Sequence, residues 1–286
     1  YDVCWLRQAG IKIRGKIVDT MIAASLIDEN RMSYALNTLA KHYVGIGKDE
    51  KVLQEAAKSY SVNPKSEMYK LPAMYVGEYA ERDAEATLKL WQRLIVELQN
   101  QELMDVFNLE TKLFPCLVDM RFKGVRVDLE HAANLKKNLI IRENKIISKI
   151  KELTGINVEI HAARSIAKAF DKLKLPYDRT EKSNEPSFTK NFLQNHPHEL
   201  ARSIADAREI NKAHTTFIDS ITKHSAKGRI HADINQIRSD QGGTVTGRFS
   251  MSNPNLQQIP ARHPEIGPMI RSIFIPEENT TWGSFD

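Results

Sequence analysis

The 286-residue sequence predicts an α+β chain built from two domains, and three observations carry that prediction. One is a set of long amphipathic helices in the middle of the chain, clearest where Leu135, Leu139, Ile146, Ile150 and Leu153 fall on one stripe. Another is the change at Gly228, after which "RIHADINQIRS" and "IRSIFIPEENTTWGSFD" carry the short β-rich runs of a sheet. The third is the composition: 41% hydrophobic and 27% charged residues suffice for a buried core, at a length that suits two domains.

From the start to about Gln101 the pattern mixes short apolar runs with amphipathic helices, as in "YALNTLAKHYVG", and reads as α/β or α+β. Residues 52–70 turn polar, "SVNPKSEMYKLP" reads as a loop, and a helix resumes near Met74. Leu103 to Met120 is helical. "FKGVRVD" gives a turn and a short strand, Asp128 caps a helix running to about Leu153, and Gly155 ends it. The lysines and arginines off the apolar stripe of that helix fit a solvated basic face at least as well as a DNA-contacting one, and none of them is a site candidate on this pattern. After Pro176, "YDRTEKSNEPSFTKNFL" is a polar connector, followed by a second long helix, "ELARSIADAREINKAHTTFIDSITKH".

The 41 Lys and Arg outnumber the 36 Asp and Glu, a formal charge of +5 that permits a polyanionic partner without demanding one. Cys4 and Cys116 form no CxxC pair, so neither a zinc site nor a disulfide framework is indicated, and a reducing, intracellular home is expected. No apolar run approaches the roughly 20 residues needed to span a bilayer, and no membrane partner is expected.

"TVTGRFSMSNPNLQQIPAR" concentrates guanidinium and amide donors around turn-forming residues. Such donors suit a duplex minor groove, where every base pair offers an acceptor at purine N3 or pyrimidine O2. Composition alone equally fits an irregular surface loop held by Asn and Gln hydrogen bonds. Order adds what composition lacks. "GRIHADINQ", then "TGRFSMSNPNLQQIP", then Arg262, "IRSIFIP" and a run ending in Asp together resemble the family A DNA polymerases, similar to bacterial DNA polymerase I and many phage replicases.

The resemblance implies that Asp286 ends a strand as the first palm carboxylate and a ligand of both catalytic Mg²⁺ ions, two ions per active site. It implies that Arg248 touches the primer-terminal minor groove and the incoming nucleotide, and that Asn255, Gln257, Gln236 and Arg262 contact template or primer. "AREINKAHTTFI" resembles the thumb helix that grips the primer, with Arg208 and Lys212 at i and i+4 on one face. "ETKLFPCLVDMRFKGVRVD" resembles the entry to the polymerase region, but Arg121 stands where that family usually carries an acid, which puts a local salt bridge in doubt.

The first hundred residues resemble the 3′-5′ proofreading exonuclease of the same polymerases. "YVGEYAERDAEATLKLW" places Tyr79 and Asp83 one helical turn apart, matching the third exonuclease motif, and Asp2 matches the second. By that likeness Asp83 and Asp2 are metal ligands and Tyr79 orients the attacking water, while the first motif lies upstream of residue 1. The expected layout is therefore the later part of an RNase H-like exonuclease domain over residues 1–101, then a helical thumb and the first palm strands over 102–286. Fingers and the rest of the palm are expected beyond Asp286, and with both metal sites short of ligands the chain alone is expected to perform neither reaction efficiently.

Implied partners are primer-template DNA and dNTPs, in the cytoplasm of a bacterial or phage-infected cell; no processivity factor is identified. Two rivals differ in class. A ribonuclease D-like exonuclease accommodates the first hundred residues but has no use for "TGRFSMSNPNLQQIP", and a non-catalytic DNA-binding module would keep the basic surfaces and lack the carboxylates.

Overall fold

The computed structural model describes residues 2–47, 50–240, 242–261 and 263–284. They form two compact units. The first is the chain up to Lys123 together with Asp233–Ser252, and the second is Gly124–Ala232 together with the chain from Asn253 onward.

In the first unit the chain before Lys123 is helical in every regular element described: α1 (Asp2–Gln8), α2 (Thr20–Ile27), α3 (Leu36–Val44), α4 (Lys51–Ser59), α5 (Ala73–Asn100) and α6 (Met104–Lys123). The α/β or α+β pattern expected of the first hundred residues is thus corrected to helices. The stretch "SVNPKSEMYKLP" is a loop up to a short 3₁₀ turn, Met68–Lys70, but the loss of periodicity read from residue 52 is corrected over α4. Leu53, Ala56 and Ala57 sit at helical spacing, and burying them makes α4 stable despite its polar remainder. α5 presents Ala86, Leu90, Leu94 and Leu98 as one buried stripe, whose three leucines pack with Ile22, Tyr34, Leu39 and Phe107. Each fully buried Leu or Phe contributes about 1.5–3 kcal/mol, so this seam dominates the unit's stability.

The second unit is built on α7 (Leu129–Thr154). Asp128 accepts the His131 amide at its start, and Gly155 takes a left-handed φ of 67° at its end, as the sequence predicts. Before it, β1 (Val125–Arg126) enters from Gly124, whose φ is +61° and where an added Cβ would lie 2.6 Å from the Ile230 carbonyl oxygen. Further along come α8 (Ala163–Lys172), the hairpin β2 (Asp178–Arg179) with β3 (Pro186–Ser187), and α9 (Lys190–Asn195), so the expected polar connector holds a small sheet and a helix. α10 (Glu199–Lys212) continues through a π-helical segment, Ala213–Ile218, into α11 (Asp219–Lys223), giving the expected second long helix. β4 (Ser225–Ala226) and β5 (Arg229–Ile230) complete a three-stranded sheet in the order β1-β5-β4, all antiparallel.

β6 (Asp233–Asn235) pairs antiparallel with β7 (Ser250–Ser252) in the first unit. In the second, α12 (Ile266–Arg271) takes the start of "IRSIFIP", and Phe274 makes only an isolated bridge to Val127. No strand is present at residues 281–284, and the expected carboxylate at the end of that run, Asp286, lies outside the described residues.

Candidate nucleic-acid interface

Arg248 lies in the loop between β6 and β7, whose base is fixed at several points. Ile237 packs into the Leu90–Phe107 core, and Arg238 donates Nη1 to the Glu29 carbonyl at 3.2 Å. Ser239 and Gly242 exchange backbone hydrogen bonds across a tight turn, and the Asp240 carboxylate accepts the Tyr34 amide at 2.5 Å and the Ser33 hydroxyl at 2.6 Å. Gly243 holds a φ of +95° with its would-be Cβ 2.0 Å from the Ile237 carbonyl oxygen, a position only glycine fills. Beyond it, residues 245–249 are exposed. Thr244 Oγ1 donates to the Arg248 carbonyl at 2.7 Å, which fixes the backbone from which that guanidinium projects.

The strand leading into this loop is held to α6 by two contacts. Arg121 pairs with Asp233 at 2.5 Å, so the position whose charge put a salt bridge in doubt makes one with a partner on β6. Gln236 is 7% exposed and gives its amide nitrogen to the Glu110 carbonyl at 2.8 Å and to the Glu110 carboxylate. Buried amides are retained where they are satisfied internally. In this structure the Gln236 side chain, expected at template or primer, faces its own unit and is taken up by Glu110.

The exonuclease-like candidates lie elsewhere in the first unit. Asp2 is exposed on α1. Tyr79 and Asp83 occupy successive turns of α5 as predicted; Tyr79 packs against the Leu53–Leu71 cluster, and Asp83 lines a groove of about 270 Å³ with Asn37, Ala86 and Lys89. Among the described residues no group of three or more His, Cys, Asp or Glu side chains converges to hold a metal ion.

In the second unit Asn255 caps a 3₁₀ turn, Leu256–Gln258, by accepting the Gln257 amide at 3.1 Å, and Gln257 itself is exposed. Arg262 lies outside the described residues. Arg208 and Lys212 do share one face of α10, yet they are used differently. The Arg208 guanidinium donates Nε to the Ile160 carbonyl at 2.6 Å and Nη1 to the Phe188 carbonyl at 2.8 Å, and burial lowers its affinity for a proton from the ordinary arginine value. It ties the segments before α8 and α9 to α10. Lys212 is exposed, with its ammonium 5.7 Å from the Phe217 ring. Of the two expected phosphate contacts, Arg208 thus spends Nε and Nη1 on main-chain carbonyls, whereas Lys212 faces solvent.

Sequence reading missed the pairings that hold these surfaces. Glu209 accepts from Lys190 at 2.8 Å and from His263 at 2.9 Å, while His263 Nδ1 accepts the Ile266 amide at 3.0 Å, at the start of α12. Burial pushes the Glu209 carboxyl up, but the Lys190 and His263 hydrogen bonds outweigh it and hold the group below the usual carboxylate range. Glu143, 8% exposed, accepts from Asn211 at 2.9 Å and bonds His214 Nε2 at 2.5 Å. No spacing signal links residues so far apart in sequence.

Comparison with known proteins gives the following. A family model for DNA polymerase family A matches residues 129–286, and one for a 3′-5′ exonuclease matches residues 1–99. The chain is 34% identical to a DNA-directed DNA polymerase of Pseudomonas phage M6, over 100% of this chain and 45% of that protein. It is 31% identical to the DNA polymerase DpoZ of Acinetobacter phage SH-Ab 15497, over 100% of this chain and 50% of that one. The chain thus spans about half the length of these curated relatives. The POL domain of Pol1 from M. smegmatis, solved in complex with DNA primer-template and dNTP, shares the fold with a TM-score of 0.72 at 23% identity, over 96% of this chain and 43% of that one. Polymerases and exonucleases of these families are metal-dependent. No described helix is long and apolar enough to cross a membrane.

Proposed function

The chain belongs to DNA polymerase family A, and from that premise we propose that the whole protein extends a DNA primer along a template from dNTPs and removes 3′-terminal nucleotides by hydrolysis. The observation that carries the reading is the pinned loop of the β6–β7 hairpin, which displays Arg248 in "TGRFS" inside the family A match. A guanidinium held this way can donate to the purine N3 or pyrimidine O2 present at every base pair, testing pair geometry without reading sequence. Asn255 and Gln257 add amide donors of the same kind. Lys212 supplies charge for a primer phosphate, a contact that fixes register and carries no sequence information.

Tyr79 and Asp83 are the proposed hydrolytic groups, with Asp2; the tyrosine hydroxyl orients the attacking water toward the terminal phosphodiester. By the resemblance Arg262 would contact template or primer and Asp286 would hold Mg²⁺, which when bound would activate the primer hydroxyl and clamp the triphosphate. Primer-template DNA and dNTPs as partners are supported by the M. smegmatis relative, and a cytoplasmic setting is proposed on the same kinship.

Primer extension by the whole protein tests the reading. Arg248→Ala removes charge-assisted donors worth about 1.5–3 kcal/mol, so kcat/KM for dNTP addition is expected to fall roughly 10- to 100-fold, with Arg248→Lys intermediate. Extension that is undiminished in Arg248→Ala, or absent in the unaltered protein with any divalent cation, would overturn it.

A further inference from the structure

The loop that displays Arg248 is held by the part of the chain that matches the exonuclease model. Residues 236–249 separate the paired strand positions Asn235 and Ser250, far more than a tight hairpin turn requires. A connection of that length keeps one conformation only where specific contacts order it. Asp240 makes the most concentrated of these contacts, since both carboxylate oxygens are engaged across more than two hundred residues of sequence, by the Tyr34 amide and the Ser33 hydroxyl. Ser33 Oγ in turn accepts the Ala35 amide at 3.2 Å, and α3 begins immediately afterwards with no side-chain cap of its own. Asp240 therefore satisfies polar groups at the entrance to α3 and fixes the turn Ser239–Gly242 in the same act. From that turn Gly243 gives its amide to Ser250 Oγ at 3.1 Å, and Thr244 Oγ1 reaches the Arg248 carbonyl. The chain of contacts runs from Ser33 and Tyr34 through Asp240 to the backbone of Arg248.

We propose that Asp240 is a positioning residue for Arg248, and that through Ser33 and Tyr34 the exonuclease-matching helices set where that guanidinium stands during nucleotide addition. The inference rests on the proposed polymerase reading. It adds a residue with no role in that reading, and a dependence of synthesis on the loop 30–35, which lies in the exonuclease match. Charge-assisted hydrogen bonds to a backbone amide are directional, so losing them frees the turn without removing any group that touches DNA.

The test is single-nucleotide primer extension by the whole protein carrying Asp240→Ala, Asp240→Asn, Arg248→Ala and the double variant Asp240→Ala/Arg248→Ala, with the thermal midpoint of each recorded. Asp240→Ala is expected to lower kcat/KM for dNTP addition about tenfold, and Asp240→Asn to recover most of it, because a carboxamide oxygen still accepts the Tyr34 amide and its nitrogen can donate to Ser33. The double variant is expected to match Arg248→Ala within about twofold, since a residue acting through Arg248 has nothing left to position. Effects that multiply, or an Asp240→Ala enzyme as fast as the unaltered one, would refute the positioning role while leaving the polymerase reading intact. Should Asp240→Ala fail to fold, Ser33→Ala replaces it in the same cycle, with a smaller loss and the same non-additivity expected. An unaltered protein that extends no primer defeats the underlying reading instead, so the two failures are distinguishable.

Discussion

Arg208 and Lys212 lie one turn apart on α10, and the structure predicts opposite consequences for removing them. Arg208→Ala deletes two charge-assisted hydrogen bonds, to the Ile160 and Phe188 carbonyls, and leaves those oxygens without that donor. Each such bond contributes about 1.5–3 kcal/mol when buried; at a half-buried site water recovers part of this, leaving a loss of about 2–3 kcal/mol. For a unit of this size that is a fall of roughly 5–10 °C in its thermal midpoint. Lysine does not rescue it, because a single ammonium lacks the planar fork that reaches both carbonyls at once. Lys212→Ala removes an exposed charge and is expected to leave the midpoint unchanged within about 1 °C. On DNA the order reverses. Losing one phosphate contact makes the slope of log binding constant against log salt shallower by about 0.9, the effect expected for Lys212→Ala and not for Arg208→Ala. Calorimetry and a salt titration of primer-template binding decide the matter. Arg208→Ala with an unshifted midpoint and a shallower salt slope would refute the assignment of its guanidinium to the protein interior.

Glu143→Ala strands His214 and Asn211 in a buried setting and is expected to cost about 3–5 kcal/mol in urea unfolding, whereas Glu143→Leu with His214→Leu is expected to recover much of it. Glu209 ionises below the usual carboxylate range in the folded state, so its contribution is fully present above the unfolded value of about 4.3 and is lost as pH falls through the lower folded value. Glu209→Gln is therefore expected to be less stable than the unaltered protein at pH 6, with the gap closing below about pH 4 in acid unfolding curves. Gly243→Ala places a methyl group against the Ile237 carbonyl at a left-handed φ; a cost of about 1–3 kcal/mol and faster amide exchange across Asp233–Ser252 are expected.

What could be read from the sequence divides by the range of the interaction. The Asp128 cap, the Gly155 stop, the α7 stripe and the α10–α11 helix are local, and each is set by residues within a turn or two of one another. The placement of Tyr79 and Asp83 one turn apart on α5 is local as well. α4 is legible in principle, since Leu53, Ala56 and Ala57 recur at helical spacing, but its short apolar set is outweighed by the polar residues around it. The fates of Arg208 and Gln236 are of another kind. Their partners, Ile160 and Phe188 for one and Glu110 for the other, are chosen by tertiary packing, and nothing in the neighbouring sequence distinguishes a donor turned inward from one turned to solvent. Arg248 differs because the glycines and threonines around it dictate a turn whose tip is exposed whatever packs beneath.

The order of motifs and the order of packing also diverge, and the reason lies in α6 and the β6–β7 hairpin. Motif order separates an exonuclease-like stretch ending near residue 101 from everything after it. Packing draws α6 back against α2 and α5 through Phe107, which stacks on Trp91 with ring centroids 5.3 Å apart. It then draws the hairpin onto this core through Ile237 and the Arg121–Asp233 pair, and onto the entrance of α3 through the Asp240 clamp. A two-stranded hairpin has too little apolar surface to hold a single conformation unaided and must borrow a core. Here the core it borrows is the α5–α6 seam, so the segment with the polymerase signature owes its shape to side chains that precede it by more than a hundred residues. Alterations of that seam, such as Phe107→Ala, are for this reason expected to disturb the Arg248 loop before they disturb α7, α10 or the β1-β5-β4 sheet.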